Sequence, residues 1–248
     1  MRLLVWGRDG LGKSTLADYI GLRLSDKSIA VVMDTDLTQP TMPVRIPGIK
    51  VKKEKSLGRA IAGTGTSEIR PYLIQHPKHE GLFFSGVVSD EDYMEYELGL
   101  DSSVNAGIFM NSCAAQCDHV IVDCSGQRTD PFLPDALIKS DKILILISPD
   151  LQGISWWRSI KPLIDEMKVD HKVIPVISQL HEHHNEKWLQ EGYGFNQCVA
   201  LPFARELNLN RSSGRIEQNL TTRAGRSWQK AVDALISDLT RNRGDGRG

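Results

Sequence analysis

The sequence predicts an α/β protein: a single domain built on a mostly parallel twisted sheet with helices on both faces. Short apolar runs recur along the 248 residues, and each run is continuous rather than alternating, which is typical of strands buried on both faces. Helical patterns lie between the runs, and such alternation favours a parallel sheet. We find no internal repeat and no linker rich in glycine, serine or proline, so one domain is predicted over residues 1–240.

The strands are predicted from apolar runs bounded by polar or turn-forming residues. Six such runs occur: Leu3 to Trp6, Ile29 to Met33, Leu82 to Phe84, Val120 to Val122, Ile143 to Ile147 and Val173 to Ile177.

Three helices are predicted from apolar residues at helical spacing. The first begins after Ser14 and the second after Gly153, and Pro162 is expected to kink or restart the second. The third is a stripe between Ser227 and Thr240, which we expect to pack in the core rather than on a membrane. The RNRGDGRG tail, residues 241–248, is predicted to be disordered.

The region from Thr38 to Asp118 is the least regular. Three prolines and a glycine between positions 40 and 48 predict a loop. A short helix is predicted from Leu57 to Ala62 and a longer one from Asp101 to Ala115.

Charge and cysteine content limit the function classes. The chain has 30 basic and 31 acidic residues, so any nucleic-acid contact must be a local patch. Its four cysteines contain no CxxC pair, which indicates reduced thiols. No signal peptide and no membrane span is apparent, so a cytoplasmic location is expected.

Residues 7–14 read G-x-x-x-x-G-K-S between the first strand and the first helix, which is the setting of a phosphate-binding loop. The glycines let successive backbone N–H groups point at phosphate oxygens, and the helix adds its positive end. Lys13 is expected to neutralise the β and γ phosphates, and the Ser14 hydroxyl to ligate Mg²⁺. The predicted nucleotide contacts are Gly7, Asp9, Gly10, Leu11, Gly12, Lys13, Ser14 and Thr15.

Three aspartates stand where strands end. Asp34 and Asp36 follow the second strand, and Asp123 ends a later one. Ligands of open α/β sheets gather at the carboxyl ends of strands, so these acids are expected beside the phosphates. Asp123 is the predicted acid on the metal side, directly or through water, and a turn-capping aspartate is the alternative for Asp34 and Asp123.

Together these motifs resemble those of the ParA/MinD family of ATPases, whose loop has the form KGGxGK[ST]. GRDGLGKST, MDTDLTQP, VIVDCSG and ALIKSDKILILISPD stand in the family's order, and VALPFARELN is similar to the segment after its last strand. The resemblance implies a P-loop NTPase fold that binds ATP or ADP with Mg²⁺. It also implies an ATP-dependent homodimer that hydrolyses ATP slowly and positions a protein partner or cargo.

The resemblance also implies roles for single residues. Arg8 matches the signature lysine that reaches across the dimer, and an arginine is able to do this as a permanent cation. Asp36 would orient the attacking water, and Asp34 would lie near the metal. Asp9 replaces a family glycine, and with Arg8 this departure predicts weak hydrolysis. Ser178 and Gln179 stand where the family often has a base-recognising asparagine, so the base preference stays open.

Two further readings remain open. One is a nucleotide-binding scaffold of a pilus, secretion or conjugation system with little or no turnover. The other is a metabolic phosphoryl-transfer enzyme or ligase of the same fold. Two other groups of residues are expected to have structural roles. His181, His183 and His184 are expected in a solvated loop, and Cys113 and Cys117 are expected to be buried thiols. Non-specific DNA binding is the less favoured reading of five arginines, Arg205, Arg211, Arg215, Arg223 and Arg226.

Overall fold

A computed structural model describes residues 1–39, 41–62, 65–88, 96, 98–99, 101–215 and 219–241. Within these residues eight strands form one sheet. The strands are β1 (Arg2–Gly7), β2 (Ala30–Asp34), β3 (Ile74–His76), β4 (His79–Ser85), β5 (His119–Asp123), β6 (Lys142–Ile147), β7 (Val173–Leu180) and β8 (Val199–Pro202).

The sheet order brings three strand ends together. The order is β3-β4-β2-β5-β1-β6-β7-β8, with β3 antiparallel to β4 at one edge and the other neighbours parallel. Asp123 of β5 lies opposite Val5 of β1 on one side and opposite Asp34 of β2 on the other. The carboxyl ends of β1, β2 and β5 therefore meet, which is where ligands bind in such sheets.

Helices connect the strands and cover the sheet. They are α1 (Lys13–Ser25), α2 (Met42–Arg45), α3 (Leu57–Ile61), α4 (Ser102–Gln116), α5 (Leu133–Lys139), α6 (Leu151–Glu166), α7 (Glu186–Tyr193), α8 (Arg205–Ser212) and α9 (Arg223–Arg241). Short 3₁₀ turns lie at Lys53–Lys55, Arg70–Tyr72 and Asp170–Lys172.

The core has two layers, one on each face of the sheet. α1, α2 and α9 supply one layer, and α3 to α7 supply the other. In β1, Leu3 and Val5 point into the α1 layer, whereas Leu4 and Trp6 point into the opposite layer. Both faces of the central strands are buried, which explains why their sequences are continuously apolar.

All six predicted strands are present, but two strands were missed. β3 is a three-residue edge strand whose sequence, IQH, contains one apolar residue and so gives no apolar run. The VALP segment is the last strand, β8, so its placement after the last strand was wrong. β8 has four residues, lies at the sheet edge, and most of its residues are only partly buried.

The predicted helices are present with different boundaries. The third begins at Arg223, earlier than its apolar stripe, and its last residue, Arg241, was wrongly assigned to the tail. The other predicted tail residues, 242–248, lie outside the described residues. Trp228 and Val232 are among the buried residues of α9, which confirms core packing.

Prolines interrupt the helices less than predicted. α6 runs through Pro162 without restarting. The predicted loop at positions 40–48 contains α2, with Pro43 in its first turn, where a missing backbone N–H costs no intrahelical bond. Pro40 lies outside the described residues.

Candidate phosphate-binding site

The loop between β1 and α1 has a backbone that requires glycine. A Cβ on Gly7 would lie 2.4 Å from the carbonyl oxygen of Leu146 on β6, so a side chain does not fit there. Gly10 and Gly12 have φ angles of 81° and 82°, in the left-handed region that glycine adopts without strain. A Cβ on either would meet nothing within 4 Å, so these two glycines are needed for conformation rather than for space.

The first turn of α1 offers backbone donors. Leu16 N–H donates to Gly12 C=O at 2.9 Å, so within α1 the N–H groups of Lys13, Ser14 and Thr15 have no intrahelical acceptor. These donors and the positive end of the helix dipole together favour an anion.

The loop opens onto a cleft of about 200 Å³ at the strand ends. The cleft brings together Lys13 and Ser14 of the loop with the three predicted aspartates. Its lining residues are Asp9, Gly10, Gly12, Lys13, Ser14, Asp34, Asp36, Gln39, Thr41, Asp123, Cys124, Ser125, Gly126, Gln127 and Arg211.

Lys13 is bonded within its own loop. Its Nζ donates to the Arg8 carbonyl oxygen at 3.1 Å and to Asp9 Oδ1 at 3.0 Å. The Asp9 side chain is 80% exposed, whereas that of Lys13 is only 9% exposed. The extra negative charge of Asp9 is therefore balanced by the same lysine that would bind a phosphate.

Arg8 points away from the cleft. Its Nη2 donates to Gln152 Oε1 of α6 at 3.3 Å. It lines an open surface cavity with the imidazoles of His181, His183 and His184. The histidines lie in the loop after β7 as predicted, with His181 stacked on Phe203.

A buried arginine that the sequence analysis missed lies behind the cleft. The Arg45 guanidinium donates to Asp18 Oδ1 at 2.7 Å, lies 3.4 Å from Asp34 Oδ2, and bonds closely to Asp123 Oδ2. All four side chains are at least 94% buried. Asp34 and Asp123 are therefore ion-paired with Arg45 rather than open acids, and Asp34 also caps a turn because its Oδ1 accepts from the Asp36 N–H.

One guanidinium does not balance three buried carboxylates. Burial raises the pKa of Asp18 and of Asp34 from the ordinary value of 3.8 to about 7, and the charge of Arg45 opposes this rise. Burial works to lower the pKa of Arg45, but the three acids outweigh it and raise that pKa. The raised pKa values favour the protonated forms of Asp18 and Asp34, which brings the cluster closer to neutral.

The loop after β2 is shaped by its own acids. Asp36 Oδ1 accepts from Thr38 N–H at 3.0 Å and from Thr38 Oγ1 at 2.6 Å. The Asp36 N–H donates to Asp34 Oδ1 at 3.1 Å, and the Thr41 hydroxyl donates to Asp34 Oδ2. Asp36 is thus at the cleft, with one carboxylate oxygen held by Thr38.

The donors at the cleft suit Mg²⁺. The Ser14 hydroxyl and the carboxylates of Asp34 and Asp123 are hard oxygen ligands. Across the described residues, no group of three or more His, Cys, Asp or Glu side chains is arranged to hold a metal. Mg²⁺ takes few protein ligands and completes its shell with water and phosphate, so the three oxygen ligands named above are compatible with it.

Asp130 connects the loop after β2 with the loop after β5 beside the cleft, and no sequence pattern pointed to it. Its carboxylate accepts from the Ser125 N–H at 3.0 Å, the Phe132 N–H at 2.9 Å, the Cys124 thiol at 3.1 Å and the Thr35 hydroxyl. Thr35 follows β2, whereas Cys124 and Ser125 follow β5. Burial raises the pKa of Asp130.

We expect Asp130→Ala to lower the free energy of unfolding by about 3 kcal/mol, because the buried Phe132 N–H and the Cys124 thiol lose their acceptor and the Ser125 N–H keeps only the Thr35 hydroxyl. Urea unfolding followed by tryptophan fluorescence measures this loss. Asp26→Ala is the matched control, since Asp26 is exposed at the end of α1. Equal stability of the two variants would contradict a bridging role for Asp130.

Ser178 and Gln179, at the end of β7, hold the phosphate loop from behind. The Ser178 hydroxyl donates to Leu11 C=O at 2.8 Å, and Gln179 Nε2 donates to Gly10 C=O. Gln179 has a φ of 59°, which is unusual for a residue other than glycine. Both line a small cavity that continues past Thr15 to Pro202 of β8.

The arginines and cysteines noted in the sequence fall in different places. All five arginines are exposed, but Arg211 lines the cleft, whereas Arg223 and Arg226 lie in the first turn of α9. Cys113 is buried as predicted, and Cys117, just after α4, is partly buried.

No protein-family model matches the chain, and no curated protein matches it in sequence. Solved structures do match. The plasmid partition protein of Borrelia burgdorferi B31 bound to AMPPNP aligns with a TM-score of 0.73 and 14% identity over 96% of this chain and 99% of that one. MinD of Pyrococcus horikoshii OT3 complexed with Mg-ADP aligns with a TM-score of 0.73 and 14% identity over 98% of this chain and 96% of that one. A ParA family ATPase of Chlorobium tepidum TLS aligns with a TM-score of 0.72 and 14% identity over 96% of this chain and 97% of that one.

This chain has the ParA/MinD ATPase fold. The resemblance seen in the sequence is thereby confirmed at the level of the fold, which is what an identity of 14% supports. The alignment with the P. horikoshii protein covers 98% of this chain, so the shared fold extends over nearly its whole length. None of the described helices is both long and apolar enough to be a membrane span.

Proposed function

We propose that this chain binds ATP and ADP with Mg²⁺ and acts as a nucleotide switch with weak ATPase activity. The observation that carries the proposal is the cleft at the ends of β1, β2 and β5, where Lys13 and Ser14 face the aspartates that follow the strands. Two proteins of the same fold, the B. burgdorferi partition protein and the P. horikoshii MinD, were solved with AMPPNP and Mg-ADP, which supports this choice of ligand.

The phosphates would lie on the loop, in contact with residues 9 to 15. Backbone N–H groups of the first turn of α1 would bind phosphate oxygens, and Lys13 would exchange Asp9 for the β and γ phosphates. The base would lie towards the small cavity between Thr15 and Pro202. The side chains of Ser178 and Gln179 donate hydrogen bonds to carbonyl groups of the phosphate loop. Their main role would therefore be to position the loop, and any contact with the base would be a lesser one.

Mg²⁺ would be held by the Ser14 hydroxyl, with Asp123 and Asp34 directly or through water. The ion supplies charge neutralisation on the phosphates when it is bound. Asp34 and Asp123 already pair with Arg45, so the ion would compete with this guanidinium. That competition, together with the bond between Asp9 and Lys13, is consistent with slow turnover.

Asp36 is the candidate to orient the attacking water. One of its oxygens, Oδ1, is held by Thr38, which fixes the carboxylate at the edge of the cleft. The other oxygen, Oδ2, is then available to accept from a water.

We further propose that ATP closes a homodimer in which Arg8 reaches the partner's phosphates, and that the switch positions a protein cargo in the cytoplasm. Arg8 is partly exposed, points out of its own cleft and, among the residues that the structure describes, has a side-chain hydrogen bond only to Gln152, so it is available to a second subunit. A weak DNA contact through the exposed arginines belongs to the same proposal.

Mass in solution tests the dimer. We expect light scattering to show twice the monomer mass with Mg-ATP and the monomer mass with Mg-ADP. Arg8→Ala should remain monomeric in Mg-ATP, because the dimer loses its cross-subunit cation. Arg158→Ala, an exposed arginine on α6, is the control and should still dimerise. A wild-type protein that binds ATP and stays monomeric would contradict the switch.

The alternative is a nucleotide-binding scaffold with little or no turnover. The bond between Lys13 and Asp9 favours it, because an engaged lysine is a poorer stabiliser of a developing phosphoryl charge. Steady phosphate release by the wild-type protein would exclude this alternative.

A further inference from the structure

A second cation faces the cleft from the far end of the chain. Arg211, in the last turn of α8, lines the cleft together with Lys13 and Ser14. It also borders a cavity with Thr15 and Asp18, on the first turns of α1. Arg211 therefore lies near the first turns of α1, where the N–H groups of Lys13, Ser14 and Thr15 have no intrahelical acceptor.

The pKa of Asp18 is consistent with this placement. Burial, the largest influence, raises this pKa to about 7, and the charges of Arg45 and Arg211 act to lower it. The charge of Arg211 is thus felt at the second turn of α1, one turn beyond Ser14.

The charge balance of the cleft leaves Arg211 as an available cation. Lys13 is bonded to Asp9, and Arg45 is buried among three carboxylates. Arg211 is exposed, and its side chain makes no hydrogen bond or ion pair within the part of the chain that the structure describes. An incoming phosphate would therefore meet several acids together with Arg211, whose guanidinium would not have to give up a hydrogen bond or ion pair to any of the described residues.

We propose that Arg211 binds the phosphate chain of the nucleotide within the same subunit, as a second cation beside Lys13. This inference rests on the proposed function and adds a contact that no motif predicts. A guanidinium presents a planar fork of donors, which allows two parallel bonds to phosphate oxygens. Arg211 would then contact the nucleotide, and a weak DNA contact would rest on the other four exposed arginines, Arg205, Arg215, Arg223 and Arg226.

Calorimetric titration with ADP and with AMPPNP tests the proposal. We expect Arg211→Gln to raise both dissociation constants about tenfold, and Arg211→Lys to restore part of the affinity because it keeps the charge. Arg205→Gln is the matched control, since Arg205 is an exposed arginine in the first turn of the same helix and is not among the residues that line the cleft.

Two further measurements on Arg211→Gln distinguish a loss of phosphate binding from a structural effect of the substitution. The dissociation constant of Arg211→Gln should depend less steeply on KCl than that of the wild type, because one ionic contact is lost. Its thermal midpoint without nucleotide should equal that of the wild type. Affinity and salt dependence equal to those of Arg205→Gln, in a protein whose wild type binds ADP, would overturn the role of Arg211 alone. Absence of wild-type binding to either nucleotide would overturn the proposed function as well.

Discussion

Lys13→Ala is expected to weaken the binding of Mg-ATP roughly thirty- to hundredfold, because a charge-assisted contact to phosphate contributes about 2 to 3 kcal/mol. The Lys13 side chain is 9% exposed at the floor of the loop, so no solvent cation replaces it easily. Calorimetry with Mg-ATP and Mg-ADP measures the loss. Phosphate release, if the wild type shows it, should vanish in the same variant.

The matched control for Lys13 is Lys27→Ala. Lys27 is an exposed lysine in the turn that follows α1, so its loss changes the net charge equally and leaves the loop intact. The control should bind nucleotide with the wild-type affinity. Wild-type affinity in Lys13→Ala would mean that this lysine stays paired with Asp9 and that the loop does not bind phosphate as proposed.

The sequence predicted the part of the site whose residues are close along the chain. Gly7 to Ser14 join β1 to α1 directly, so the motif contained the geometry of the loop. Asp34 and Asp123 were predictable for a different reason: parallel strands end at one edge, so residues at their ends converge even when they are distant in sequence.

The counter-cation of these acids was not predictable in the same way. Arg45 reaches Asp34 and Asp123 only because the segment after β2 turns back through α2 over the strand ends. The segment is rich in proline, so its sequence predicted a loop but did not predict where that loop would lie in the fold. The position of Asp18 could have suggested a place near the site, since it lies one turn after Ser14 on α1. A single acidic residue in a helix is normally exposed, however, so nothing in the sequence indicated that it would be buried.

Edge strands were missed for an energetic reason. Central strands are apolar because both faces are buried, whereas β3 is an edge strand with one apolar residue and β8 is a four-residue edge strand that is mostly only partly buried. Asp130 was missed because its value lies in accepting bonds from two separate loops, which only the folded chain brings together.

Arg45→Ala is expected to lower the free energy of unfolding by about 3 to 5 kcal/mol near pH 8, because it leaves buried carboxylates without their counter-cation. Arg45 is 3% exposed and contacts Asp18, Asp34 and Asp123, so water does not replace it. Urea unfolding of the nucleotide-free protein, followed by tryptophan fluorescence, measures the loss. Arg158→Ala, which removes an exposed arginine, should change stability little.

The pH dependence of this loss identifies its cause. Burial already raises the pKa of Asp18 and Asp34 to about 7, and removing Arg45 should raise both further. A carboxyl whose pKa is higher in the folded than in the unfolded chain binds a proton on folding, so its contribution to stability falls as pH rises from about 4 through the folded pKa. The variant should therefore lose more stability relative to the wild type near pH 8 than near pH 5. An equal loss at both pH values would assign the effect to lost packing of the arginine stem rather than to unbalanced charge.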